Sequence, residues 1–373
     1  MRTDSASRVI AGFAPVWLRA NCPCPACLDP VSGQRLAAIA DLPDGLGITS
    51  ASVWDTSIDL VFAPDGHQAT FSVAWLESHR GAARASDTRT EDAKRLWRAA
   101  EFAGGPPRVS WREYTSRPAT RLGCLDSLLC DGFFLLRDVP AEPGAVLDLV
   151  ASFGFVRETN YGRLFDVRAE VTPANLAYTG LAIAPHTDNP YRDPVPTMQL
   201  LHCLVSAVEG GESGLVDGFG AAATLRRDDP AGFAMLAATP VTFAYADATT
   251  QLTATSPVIS LDPLGRIREI RVNDRSLRPL RAGAGQTERF YAAYRSFARL
   301  IGRPELRLSF RLEPGDCVVF DNTRILHSRA AFADTGRRHL QGCYSDLDGA
   351  ASTAAALRRS LASRPGELEG AGR

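Results

Sequence analysis

Apolar residues along the last two-thirds of the chain fall in short runs bounded by turn residues. Phe133–Arg137 reads as a buried strand, and further strands are predicted at 198–205, 241–246, 258–261, 267–272, 307–312, 317–320 and 339–345. Helical spacing is confined to a few places. Val146, Leu149, Val150 and Phe153 share one face over 145–153, and Phe290, Tyr294, Phe297 and Ile301 share another over 287–301, which ends at Gly302. Asp229-Pro230 opens a third helix that buries Phe233 and Leu236. Strands and helices do not alternate regularly, and Pro-Gly and Asp-Gly turns separate the strands. This pattern predicts a mostly β fold, a sandwich or barrel with appended helices.

Before this region the pattern changes. Residues 69–73 alternate like a strand, 81–89 are small, polar and arginine-rich like a linker, and 90–102 carry Ala93, Leu96, Trp97 and Ala100 on one helical stripe. Gly104-Gly105-Pro106-Pro107 ends that helix. The boundaries expected are an N-terminal domain over 1–85, a linker and helix over 86–106, and a large domain over 107–373, with a mobile Ser/Gly/Glu-rich tail after Leu361.

Composition narrows the function classes. The 373 residues are 45% hydrophobic, enough for one large core and a small second one. Net charge is −1, so no basic field argues for nucleic acid or an anionic membrane as partner. Lys94 is the only lysine, and nearly all positive charge is arginine, which suits two-point binding of carboxylate or phosphonate. With no export signal and no long apolar run, the cytoplasm is the expected location, and the eight cysteines are expected as thiols.

Two clusters carry chemistry. In Ala184-Pro185-His186-Thr187-Asp188-Asn189, an extended chain points His186 and Asp188 to the same side, where they can take adjacent positions on one metal. A second histidine would complete the two-histidine, one-carboxylate set used by non-haem Fe(II) oxygenases. His327, at the end of a strand and far away in sequence, is the natural third ligand. Period two in the final strand puts Arg338, Leu340, Gly342 and Tyr344 on one face. If that face is inward, Arg338 can grip a carboxylate, with Arg337 pointing outward and Arg337 or Arg329 next in line for the role. The second cluster is Cys22-Pro23-Cys24-Pro25-Ala26-Cys27. Three thiols this close suit a structural Zn(II), which wants four ligands. His67, which follows a turn, is preferred as the fourth over His79. A reduced cysteine cluster or a redox pair is the alternative. The spacing is not that of a nucleic-acid finger, and no basic helix follows.

These motifs, taken with Gln199-Leu200-Leu201-His202-Cys203, Val216-Asp217-Gly218-Phe219, Pro314-Gly315-Asp316, Phe320-Asp321-Asn322 and Arg324-Ile325-Leu326-His327, resemble the gamma-butyrobetaine hydroxylase family. This is a TauD-like branch of the Fe(II)- and 2-oxoglutarate-dependent oxygenases that also contains trimethyllysine hydroxylase. The resemblance spans almost the whole chain, and the N-terminal cysteines with His67 match the family's small zinc domain. It implies a double-stranded β-helix (jelly-roll) core with flanking helices, iron on His186, Asp188 and His327, and the far carboxylate of 2-oxoglutarate on Arg338. It also implies that O₂ and 2-oxoglutarate are consumed, with release of succinate, to hydroxylate a small substrate. A trimethylammonium group would be held by an aromatic cage at Tyr161, Phe165, Tyr178 and Tyr344, where Phe165 stands in place of the family's frequent tryptophan. Ring faces suit a cation that cannot donate hydrogen bonds. Asn175 and Asn273 match positions that hold the substrate's acidic end. A homodimer is expected.

One stretch departs from the family. Where a hydrophobic or tyrosine residue commonly follows His-x-Asp, this chain has Asn189, with Arg192 three residues on. A positive charge beside the iron suits a phosphonate. The expected substrate is therefore 2-(trimethylammonio)ethylphosphonate, hydroxylated at the carbon next to phosphorus, ahead of gamma-butyrobetaine and then trimethyllysine. A quaternary-ammonium binder without turnover and a structural metalloprotein are the alternatives outside catalysis. Intact His186, Asp188, His327 and Arg338 argue against the first, and the second is compatible with an enzyme.

Overall fold

The computed structural model describes residues 3–80, 94–168, 180–332 and 337–363. The chain divides into two compact units, 1–91 and 92–373. In the first, strands Gly47–Val53, Ser57–Ala63 and Gln68–Ser72 form an antiparallel sheet in that order. The middle strand alternates strictly, burying Ile58, Leu60 and Phe62 against Leu18, Phe71 and Leu76. Helix Val73–Ser78 follows directly, with the Ser72 hydroxyl accepting from Trp75 N.

The second unit is a sandwich of two sheets. One has six strands, in the order Arg108–Ser110, Phe133–Arg137, Cys317–Asp321, Met198–Ala207, Arg337–Ser345 and Phe165–Arg168. The other has four, Arg307–Phe310, Ser213–Asp217, Ile325–Arg329 and Ile183–His186. Alternation along each strand sorts its side chains into two cores. Phe133, Leu135, Val318 and Phe320 meet Leu215, Leu308, Phe310 and Ile325 between the sheets. Their sequence neighbours Phe134, Leu136, Cys317 and Val319 point the other way, to Leu125, Leu128, Val146 and Leu149 on outer helices. Val216 and Leu326 cover the outer face of the four-stranded sheet, under Phe233, Phe290 and Phe297. This is the jelly-roll fold that the strand pattern and the resemblance implied. No helix among the described residues is long and apolar enough to cross a membrane.

The helix expected over 90–102 is a correction. Residues 94–98 are not helical, and only a short 3₁₀ turn, Ala99–Phe102, follows. The backbone here bonds outward instead of to itself: Arg95 N donates to Cys130 O, and Trp97 N donates to Asp217 Oδ2. Leu96 is exposed while Trp97 is buried, so the apparent stripe was a long-range contact. Residues 90–93 and the tail from 364 lie outside the described residues. The last described element, helix Leu347–Ala362, buries Leu361 and had no clear signal in the sequence.

Asp217 ties three elements together. It caps helix Gly218–Asp228 by accepting from Phe219 N, accepts from Trp97 N, and pairs with the fully buried Arg324 through bonds of 2.9 and 3.0 Å. Arg324 also donates to Cys130 O and Arg95 O. Removing one partner of a buried pair leaves an uncompensated charge. Arg324→Met is expected to lower stability by about 3–5 kcal/mol, read as a fall in the chemical-denaturation midpoint. An unchanged midpoint would contradict this role.

Candidate active site

His186 ends its strand directly opposite His327 on the neighbouring strand. Their rings lie 4.1 Å apart between centroids. Asp188, two residues on, brings Oδ1 to 3.4 Å from His186 Nε2 and 4.0 Å from His327 Nε2. One ligand atom from each residue lies within 4.8 Å of the others, so a single ion can touch all three. His186 Nδ1 faces Ala184 O at 2.9 Å, which turns Nε2 toward the site. Burial, with His186 alongside, pushes His327 down to about 3. Burial alone would push the Asp188 carboxyl up. His327, His186 and Arg275 outweigh it and hold the group well below the usual carboxylate range. A neutral imidazole and an ionised carboxylate are the forms a metal needs, and the donor set fits iron.

Asp188 is held from the opposite sheet. Asn322 accepts from Asp188 N and donates to Asp188 O, at 2.9 and 3.0 Å. Asp188 Oδ2 accepts from Gln199 Nε2 at 2.8 Å and from the Tyr344 hydroxyl at 2.9 Å. Burial, with Asp188 beside it, pushes the Tyr344 phenol well up, so its O–H remains a donor.

His186, Asp188, His327, Gln199 and Tyr344 line a cavity of about 440 Å³ between the two sheets. Arg338, Leu340 and Tyr344 all face it, as period two predicted. Gly342 is the fourth residue of that face. A Cβ there would lie 2.5 Å from the Phe165 ring, so the glycine makes room for Phe165. That ring stacks on Tyr344 at 5.0 Å. Tyr161 lies 6.3 Å from Phe165, and its hydroxyl meets that of Tyr191 at 3.0 Å. Tyr245 stacks on Tyr191 at 5.1 Å. Tyr191 and Tyr245 thus extend the expected wall. Strand alternation grouped Tyr245 with the buried Val241 and Phe243, which hid it. Tyr178 and Asn175 lie outside the described residues.

Among the described residues, three arginines line the same cavity: Arg275, Arg329 and Arg338. Arg338 is buried, and no carboxylate pairs with it among the described residues. Its guanidinium lies 5.7 Å over the Phe332 ring, and Gly211 leaves room for its stem. Arg329 donates to Leu181 O, and burial with Arg338 and Arg275 nearby pushes it down to about 10, so it remains cationic at neutral pH. Arg192 is not among the residues that line the cavity: its Nη2 donates to Asn160 Oδ1 at 2.6 Å, while its Nε is buried with no hydrogen-bond partner. The cation presented to the cavity from this side is Arg275, which no motif singled out. Asn273 faces the cavity but is bonded on both sides, donating to Thr187 O and accepting from Arg275 N. Asn189 is buried in the left-handed region, φ 54°, and neither side-chain amide atom has a partner. An amide left this way beside a cavity is suited to a bound ligand.

In the first unit Cys22, Cys24, Cys27 and His67 converge. Their sulfurs lie 3.2, 3.6 and 3.7 Å from His67 Nε2. A tetrahedral zinc with ordinary bond lengths would space sulfur and nitrogen by about 3.5 Å, so the donor set fits. Burial pushes the Cys22 thiol up to about 12, and a thiolate there needs a cation. His79 is elsewhere, tilted against Trp75 with ring centroids 4.1 Å apart.

Comparison with known proteins agrees with this geometry. Residues 99–344 match the taurine catabolism dioxygenase TauD, TfdA family, and residues 6–77 match the gamma-butyrobetaine hydroxylase-like N-terminal family. The chain is 36% identical to a gamma-butyrobetaine dioxygenase of Pseudomonas sp. (strain AK-1), over 94% of this chain and 91% of that one. It is 30% identical to the human gamma-butyrobetaine dioxygenase over 93% and 91% of the two chains. Identity to a trimethyllysine dioxygenase of Meyerozyma guilliermondii is 29%, over 91% and 88%. With its oxygenase site and its small cysteine-bearing unit on one chain, this protein belongs to the gamma-butyrobetaine hydroxylase family of Fe(II)- and 2-oxoglutarate-dependent dioxygenases.

Proposed function

We propose that this dioxygenase hydroxylates a small zwitterion carrying a trimethylammonium at one end and a phosphonate at the other, with 2-(trimethylammonio)ethylphosphonate as substrate. The observation that carries the proposal is the pairing, in one cavity, of a wall of aromatic rings with Arg275 and the unpartnered amide of Asn189. Phe165, Tyr161, Tyr191, Tyr245 and Tyr344 offer ring faces to the ammonium, each worth roughly 0.5–2 kcal/mol. Arg275, kept in place by Asn273, offers charge and two-point bonding to the anion. A carboxylate would be served by neutral amides, whereas a phosphonate has three oxygens and up to two charges. Gamma-butyrobetaine is the second candidate, favoured by the relative at 36% identity.

In this proposal His186, Asp188 and His327 hold iron, and Arg338 binds the far carboxylate of 2-oxoglutarate, the anion that a buried arginine calls for. Iron and 2-oxoglutarate, when bound, supply the oxidising power to insert one oxygen atom of O₂ into a C–H bond. The protein's part is placement. The rings and Arg275 fix the two ends of the substrate, which leaves the carbon between them to face the metal side of the cavity. Cys22, Cys24, Cys27 and His67 hold a structural zinc in the other unit.

Metal analysis of protein purified without added metal should find about one zinc per chain, lost in Cys22→Ser and Cys27→Ser together with a lower thermal midpoint. Zinc-free wild type of normal stability would remove this assignment. For the substrate, kcat/KM is compared for the phosphonate and for gamma-butyrobetaine in wild type and Arg275→Ala. The phosphonate should be preferred, and the variant should lose roughly ten- to a hundred-fold on it, the size of a charged hydrogen bond. A wild-type preference for butyrobetaine selects the second candidate. Unchanged phosphonate turnover in Arg275→Ala takes the anion-binding role away from Arg275.

A further inference from the structure

Asp188 presents its two carboxylate oxygens to different partners. Oδ1 faces the imidazoles, 3.4 Å from His186 Nε2 and 4.0 Å from His327 Nε2. Oδ2 faces the six-stranded sheet and accepts from Gln199 Nε2 and the Tyr344 hydroxyl. These two donors are not a chance pair. Tyr344 lies directly opposite Gln199 in the register of strands Arg337–Ser345 and Met198–Ala207. Opposed residues on an antiparallel pair point to the same face, side by side. The register therefore aims two donors at one oxygen.

We propose that Gln199 and Tyr344 are positioning residues that keep Asp188 a one-oxygen metal ligand, leaving a coordination position free for 2-oxoglutarate and O₂. The proposal rests on the assignment of iron to His186, Asp188 and His327. A carboxylate can bind a metal through one oxygen or both. Three protein atoms on an octahedral ion leave three positions, and a second oxygen from Asp188 would take one of them. To bring Oδ2 to the metal, Asp188 would have to give up both hydrogen bonds. It cannot slide instead, because Asn322 holds its N–H and its C=O.

The orientation of Gln199 follows from the same charge. Its N–H must face the carboxylate, since the amide oxygen there would meet an anion. Oε1 is then turned away and is buried without a partner. An orphaned acceptor carries a desolvation penalty, and it is tolerated here by a residue whose donor is committed to Asp188. Tyr344 has a separate contact through its ring, which stacks on Phe165. The hydroxyl and the ring can therefore be tested apart.

The test uses Mn(II) as an oxygen-stable stand-in for the metal, in the full-length protein. Calorimetry measures Mn(II) binding alone, then 2-oxoglutarate binding to the Mn(II)-loaded protein, in wild type, Gln199→Leu, Tyr344→Phe and the double variant. Thermal unfolding is followed in parallel. Tyr344→Phe keeps the ring and guards against simple loss of packing. In the double variant, 2-oxoglutarate affinity is expected to fall roughly 10–100-fold, while affinity for Mn(II) alone holds or rises, because the freed oxygen can now join the metal. Two results overturn the proposal. One is 2-oxoglutarate affinity unchanged in the double variant. The other is a parallel fall in Mn(II) affinity, 2-oxoglutarate affinity and thermal midpoint, the mark of a merely structural role. Failure of the wild type to bind Mn(II) would instead remove the iron assignment, and the proposal with it.

Discussion

The site depends on one carboxylate. Asp188 follows a strand of the four-stranded sheet, yet the groups that hold it belong to the six-stranded sheet or directly follow it: Gln199 and Tyr344 lie on its strands, and Asn322 comes just after strand Cys317–Asp321. The triad is therefore only as well placed as the two sheets are relative to each other. That spacing is set by the apolar layer between them, Phe133, Leu135, Val318 and Phe320 against Leu215, Phe310 and Ile325. A close-packed layer of this kind yields little to small forces. Register matters as much as spacing. A one-residue slip of strand Arg337–Ser345 would turn Arg338, Leu340 and Tyr344 out of the cavity together. Hydrophobic alternation, which reads as a folding signal, is thus also what aims the chemistry.

Charge explains the rest of the cavity. Arg275, Arg329 and Arg338 face a space whose one carboxylate among its described lining residues is Asp188. Arg338, buried and with no carboxylate pairing with it among the described residues, favours an anionic ligand. 2-Oxoglutarate supplies two carboxylates and an anionic substrate a further group. Ring faces attract a cation without hydrogen bonding, so the aromatic side suits the quaternary ammonium of the proposed substrate, which an arginine-lined pocket alone would reject. Under the proposed function, the two ends of the cavity would select a zwitterion and orient it, with selectivity between phosphonate and carboxylate resting on how Arg275 is used.

Much of this was legible in the sequence, because the signals were local. Period two located the strands and the inward face of 338–344. His-x-Asp, two residues apart on an extended chain, pointed to two side chains that converge with His327 in a group able to hold a metal, without any knowledge of the fold. The thiol cluster called for a fourth ligand, and His67, just past a turn, was within reach. The misses share one physical cause, contacts between residues distant in sequence. The stripe at 90–102 looked helical because Trp97 needed a buried face, but that face belongs to a chain segment bonded to Asp217 and Cys130. Arg192 was near Asp188 in sequence and Arg275 was not. Asn160 draws Arg192 aside, while the link from Thr187 through Asn273 brings Arg275 in. Tyr191 and Tyr245 meet only when the hairpin of Val241–Ala246 and Gln251–Ser256 folds beside the turn after Asp188.

The most direct test of the central claim, that this cavity couples 2-oxoglutarate to hydroxylation of a trimethylammonium phosphonate, is a single-turnover experiment under isotope-labelled O₂. The iron-loaded protein is mixed with 2-oxoglutarate and 2-(trimethylammonio)ethylphosphonate, and both products are weighed by mass spectrometry. The account predicts equal amounts of succinate and hydroxylated phosphonate, with one labelled oxygen atom in each. Succinate formed without labelled hydroxyphosphonate, or in the same amount when the phosphonate is left out, would contradict it.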